Sequence, residues 1–100
     1  MSEVRVVLPF HLRNLAHVGN EVTVSVADPV TVSSILDAVE LAYPVLKGTI
    51  REHQTHKRRA FLRFFVCAED ISLEPPTETL PEAISSGKEA FLIIGAIAGG

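Results

Sequence analysis

The sequence predicts an α+β fold, with one main helix packed on one face of a mixed sheet. Two observations predict it. Four stretches, residues 3–9, 21–26, 60–67 and 90–94, read as strands by alternation or by continuous apolar character. Between the second and third strands the period changes once to helical spacing, over residues 32–43. The chain has 100 residues, the size of one domain.

In residues 3–9, Val4, Val6 and Leu8 alternate with Arg5 and Val7, and Pro9 ends the run. Phe10 to Val18 reads as a connection with two histidines, His11 and His17, and Gly19-Asn20 is turn chemistry. From Glu21 to Val26, Val22, Val24 and Val26 face one way and Thr23 and Ser25 the other, so the first two strands predict an antiparallel hairpin.

Asp28-Pro29 breaks the pattern. Val32, Ile35, Leu36, Val39, Ala42 and Tyr43 then share one helical face. Thr31 is the expected N-cap, because its hydroxyl can accept from a first-turn N–H. Pro44 should end the helix near Tyr43. Leu41 lies opposite the stripe and is expected to be exposed, and Val45 to Gln54 reads as a second, shorter helical segment interrupted by Gly48. In residues 60–67, Leu62, Phe64 and Val66 share one face and Phe61, Arg63, Phe65 and Cys67 the other. An unpaired arginine does not belong in a core, so the second face is assigned outward. Residues 68–89 read as loop, tacked to the core by Leu80, Ala83 and Ile84. The apolar run 90–94 should lie centrally in the sheet.

Composition narrows the function classes. Apolar residues make up 47% and charged residues 21%, which is globular and not disordered. A net charge of −3 argues against general nucleic-acid binding. No apolar run approaches the roughly 20 residues of a membrane helix, and Met1-Ser2-Glu3 does not open a signal peptide, so no membrane partner is expected. The single cysteine allows no internal disulfide and predicts a cytoplasmic location. So small a chain leaves little space for a deep pocket, and a non-enzyme is expected.

The order strand, strand, helix, strands satisfies a ubiquitin-like β-grasp. Residues 1–94 would form that domain and residues 95–100, Gly-Ala-Ile-Ala-Gly-Gly, a flexible tail. Gly99 and Gly100 lack a Cβ, so their backbone can thread a channel too narrow for side chains. Gly95, Ala96 and Ala98 keep the approach thin, and Ile97 is its one bulky anchor. Such a tail suits the presentation of a carboxylate. A frayed tail without function is the alternative, and the β-grasp order favours the first reading.

Over essentially its whole length the chain resembles the MoaD/ThiS ubiquitin-like sulfur carriers. The resemblance rests on Val4–Leu8 followed by Phe10, Leu12, Arg13, Leu15 and Ala16, and on the helix from Thr31 to Pro44. It continues through Leu80, the Ser86-Gly87-Lys88-Glu89 turn, and above all Ala96-Ile97-Ala98-Gly99-Gly100. The chain departs from the family at Val66-Cys67-Ala68-Glu69-Asp70, where a Val-Asn pair is common, and at Gly95, where proline often stands. The resemblance implies that a ubiquitin-activating-type enzyme binds the carrier and ATP and adenylates the Gly100 carboxylate. A sulfide or persulfide then displaces AMP and leaves a thiocarboxylate, which donates sulfur to a synthase in cofactor or metabolite biosynthesis. The molybdopterin, thiamine and cysteine types remain open, and the chain could be the small subunit of a synthase such as molybdopterin synthase. The carrier itself would bind no cofactor, with ATP used by the activating partner.

The outward sheet face, with Arg5, Val7, Phe61, Arg63, Phe65 and side chains of the last strand, reads as a partner-docking surface with aromatic anchors. The alternative is that the 68–86 loop folds over it. Residues 47–63 are basic (Lys47, Arg51, Lys57, Arg58, Arg59, Arg63) and 68–86 acidic, which reads as two solvated loops ahead of partner steering. His53 and His56 could share a helical face, but no closed ligand set stands at metal spacing, so no metal site is expected. Cys67 is expected to be a buried structural residue, ahead of the alternative of a persulfide carrier, which would need exposure and a lowered pKa. Two other functions compete: a ubiquitin-like protein modifier, joined through Gly100 to lysines, and a β-grasp interaction module without carrier chemistry.

Overall fold

The computed structural model describes residues 1–95. Its elements run β1 (Ser2–Val7), α1 (Phe10–Ala16), β2 (Glu21–Val26), α2 (Val32–Ala42), a 3-10 turn (Pro44–Leu46), β3 (Leu62–Val66), β4 (Glu69–Asp70), α3 (Glu82–Ser85) and β5 (Phe91–Gly95). The five strands form one mixed sheet in the order β2-β1-β5-β3-β4. β1 and β2 make the expected antiparallel hairpin, with Ser2 opposite Val26 and Val7 opposite Glu21. β5 is central, parallel to β1 and antiparallel to β3. Its apolar sequence fits a strand flanked on both edges.

One face of the sheet and the stripe of α2 make the core. Val4, Val6, Val22, Val24, Leu62, Phe64, Phe91 and Ile93 are buried against Val32, Ile35, Leu36 and Val39. The Phe64 and Phe91 rings lie 5.5 Å apart and tilted, a favourable aromatic contact. Thr31 caps α2 as expected, and reciprocally. Its Oγ1 accepts from the Ser34 amide at 3.0 Å, and Ser34 Oγ accepts from the Thr31 amide at 2.8 Å. Helix α2 stops at Ala42, two residues before Pro44, and Leu41 is exposed, both as expected.

Four expectations are corrected. Phe10 to Val18 is not a plain connection: residues 10–16 form α1, closed by His17 at φ +56, whose amide donates to Arg13 and Asn14 carbonyls. Seven residues are too few for the helical period to repeat, and Pro9 rather than a side-chain acceptor stands at the N-cap. Residues 45–54 do not continue as helix. After the 3-10 turn, Gly48 turns left-handed at φ +80, Ile50 is buried, and Arg51 pairs with Arg58 across a short bridge. His53 and His56 therefore share no helical face. The 68–89 segment carries β4 and α3, the latter burying Ile84, while Leu80 packs against the core as expected. Cys67 is exposed rather than buried. With Ala68 it forms the two-residue turn between β3 and β4, at φ +50 and +67.

Arg51 departs furthest from its reading as a solvated charge. It is 3% exposed. Its Nε donates to Glu40 at 2.9 Å and its Nη2 to Asp37 at 2.6 Å, tying the loop to α2. Burial works against the Arg51 charge, but the bonds to Glu40 and Asp37 outweigh it and raise its pKa above the ordinary value.

Candidate functional site

The strand period leaves one sheet face without a helix, and the register brings its side chains together. Leu92 of β5 pairs with Val7 of β1 on one side and Phe65 of β3 on the other. Ile94 pairs with Arg63. Val7, Leu92 and Phe65 are half-buried, and Ile94 is 40% exposed. The result is a small apolar patch across three strands, with charge at its margin.

The 68–86 loop does not cover this patch. It runs along the start of α2 instead: Thr79 bridges to Thr31, Leu80 N donates to Val30 O, and Ser33 N donates to Pro76 O.

The two marginal arginines differ. Arg5 holds Glu21 with Nε and Nη2, both at 3.0 Å, and its Nη1 donates to the Gly87 carbonyl at 2.9 Å. Its fork is committed to the sheet edge and to the turn before β5. The hydrogen bond between them moves the Glu21 carboxyl below and the Arg5 guanidinium above their ordinary pKa values. Arg63 is half-exposed, with Nε 3.5 Å from Asp70 Oδ2, a looser pairing that a partner could replace. Phe61 does not join the patch. It stands in the turn before β3, 66% exposed, in a concavity with Arg59, Ala60 and Leu73.

β5 ends at Gly95. Gly95 pairs with Leu62 and lies against Pro9 and His11, which a Cβ there would meet at 3.7 and 3.9 Å. Phe10 borders the same shallow concavity as Ile94 and Gly95. It is 67% exposed, with the Arg13 guanidinium 5.4 Å over its ring. Phe10 and His11 were not singled out as site residues from the sequence. On a helix Phe10 lies roughly opposite Leu12, which is buried, so Phe10 faces out. Ile97, Gly99 and Gly100, the tail residues expected to carry the chemistry, lie outside the described residues.

Among the described residues no group of three or more His, Cys, Asp or Glu side chains could hold a metal, and no helix is long and apolar enough to cross a membrane.

Solved structures resemble the chain over nearly its whole length. Small archaeal modifier protein 1 from Haloferax volcanii superposes with a TM-score of 0.75 at 17% identity, covering 97% of this chain and 100% of that one. The fold is the ubiquitin-like β-grasp. The Methanosarcina acetivorans small archaeal modifier protein 1 gives 0.71 at 25% identity, covering 100% and 98%. A chain of the Amycolatopsis orientalis BexX/CysO complex gives 0.67 at 23%, covering 97% and 99%. No protein family and no curated protein matches the sequence. The β-grasp expected from the order of elements is thus borne out at the level of fold.

Proposed function

We propose that this β-grasp chain is a carrier protein, activated at Gly100 by a separate enzyme. The observation that supports it most is the placement of β5. The central strand ends at Gly95, beside an open apolar face, and the residues that follow are Ala96-Ile97-Ala98-Gly99-Gly100. A partner seated on the face would receive that segment without any side chain larger than Ile97 to pass.

The chemistry belongs to the partners. The Gly100 carboxylate attacks the α-phosphate of ATP, pyrophosphate leaves, and an acyl-adenylate forms. Adenylation is needed because oxide is a poor leaving group and AMP a good one. Hydrosulfide then attacks the acyl carbon, AMP departs, a proton is released, and the terminus becomes a thiocarboxylate. Its sulfur is a strong nucleophile at neutral pH, as thiolates are, and passes to a sulfur-accepting synthase. The β-grasp body contributes positioning.

A second reading is favoured by the neighbours described as small archaeal modifier proteins. In it, a lysine amine takes the place of hydrosulfide and an isopeptide bond results. Intact-mass measurement after incubation with the adenylating enzyme, ATP and sulfide separates the two. One oxygen exchanged for sulfur supports the carrier, and higher-mass conjugates in cell extract support the modifier. A chain unchanged in both, while ATP is consumed on a control carrier, would overturn activation at Gly100.

A further inference from the structure

A cavity of about 300 Å³ opens away from the sheet's open face, between the first half of α2 and the loops at 51–58 and 71–76. Its apolar lining comes from Val32, Leu36, Phe64, Ile71 and Pro76. The first three are core residues, at most 5% exposed.

Two guanidinium groups line the same cavity, and both are held in place. Arg51 is fixed by Glu40 and Asp37 through Nε and Nη2. Arg58 is fixed by carbonyls, with Nη1 donating to Leu62 O at 2.7 Å and Nε to Ser72 O at 3.3 Å. Among the described residues, neither Nη1 of Arg51 nor Nη2 of Arg58 makes a hydrogen bond, so each fork keeps an amino group without an acceptor. Lys57 adds a third cation to the lining, and Glu74 is the one carboxylate there.

We propose that this cavity binds a small carboxylate with an aryl or alkyl body. A bare anion would leave the apolar lining wet. A neutral apolar ligand would desolvate the arginine amino groups without giving them an acceptor, which is costly. Only a ligand with both parts satisfies both walls. The volume is at the lower end for ligand pockets, which limits the body to about ten non-hydrogen atoms. The site is independent of the carrier reading, since it uses neither the open face nor the tail.

Amide chemical-shift titration of the full chain tests it, with 3-phenylpropionate as the probe. Ser33, Leu36, Arg51, Ile71 and Ser72 should shift together and saturate at a probe concentration on the order of 1 mM. The neutral 3-phenylpropan-1-ol, and acetate, should each bind at least about tenfold more weakly, and Arg58→Gln should weaken the probe about tenfold, since hydrogen bonds to charged groups carry that much. Arg58 also braces its loop, so Ser33→Trp provides a second variant, which fills the cavity from an α2 residue that lines it and bonds neither arginine. Equal affinity for the alcohol, saturation by acetate alone, no saturation by about 10 mM probe, or wild-type binding by Ser33→Trp would each overturn the proposal.

Discussion

Gly95, the last residue of β5, sits directly opposite Leu62, the first of β3. β5 therefore ends inside the strand order of the sheet and not on an edge strand, with Ile94 next to its last residue. A partner that receives residues 96–100 must cover Ile94. Ile94→Asp is predicted to lower the thermal midpoint by about 5–10 °C while the chain stays folded at 25 °C, because a side chain 40% exposed still loses apolar burial in a central strand. It should lower the rate of adenylation by a cognate activating enzyme about thirtyfold, the effect of losing one hot-spot residue. Leu41→Asp, on the exposed side of α2, should leave both the thermal midpoint and the adenylation rate nearly unchanged. Pyrophosphate-exchange kinetics and a melting curve on each variant check both halves.

Arg51 and Glu40 form the buried half of a three-residue ion cluster, whose Asp37 end is exposed. Arg51→Met is predicted to cost about 3 kcal/mol in urea unfolding, because Glu40 is left buried without its partner. Asp37→Asn should cost less than about 1 kcal/mol, since water compensates there.

These two sites show what the sequence made legible. The strands, α2 with its Thr31 cap, and the central place of β5 follow from local periodicity, which one stretch of chain carries alone. Arg51 was not legible. Its partners stand 11 and 14 residues earlier, and nothing local distinguishes it from its solvated neighbours Lys57 and Arg59. Arg5 was misjudged for the same reason. It reads as an exposed rim charge, while its Nη1 reaches a carbonyl 82 residues away. α1 was missed because one short helix with no side-chain cap leaves no repeat to detect. The face itself was foreseen from Val7, Arg63 and Phe65. Phe61 fell out of it because β3 begins one residue later, at Leu62.

Asp70 gives the fold a pH dependence. Its carboxylate accepts from Ser72, the largest influence, and lies near Arg63 and Arg58, and these lower its pKa below the ordinary value. A lowered folded-state pKa contributes stability that is present above the unfolded value and is lost as pH falls through the folded one. Wild-type protein should therefore exceed Asp70→Asn in thermal midpoint at pH 7, and the difference should shrink as pH falls below the ordinary aspartate pKa of 3.8, toward the lowered folded-state value. Melting curves of both proteins from pH 7 down to pH 3 give the comparison. A difference that is constant with pH would contradict the assignment.

Cys67 and Ala68 both adopt left-handed φ in a turn that favours Asn-Gly. The double change Cys67→Asn, Ala68→Gly keeps the backbone, removes the Cβ at 68 and places at 67 a residue whose short polar side chain tolerates the left-handed region. It is predicted to raise stability by about 1–2 kcal/mol, measured by urea unfolding.

The most direct test is ATP–pyrophosphate exchange by a cognate adenylating enzyme, run on the wild-type chain and on one extended by a single alanine after Gly100. Exchange that depends on the wild-type chain and disappears with the extended one, at unchanged thermal midpoint, is the predicted result. Exchange at equal rates with both chains would contradict activation at Gly100.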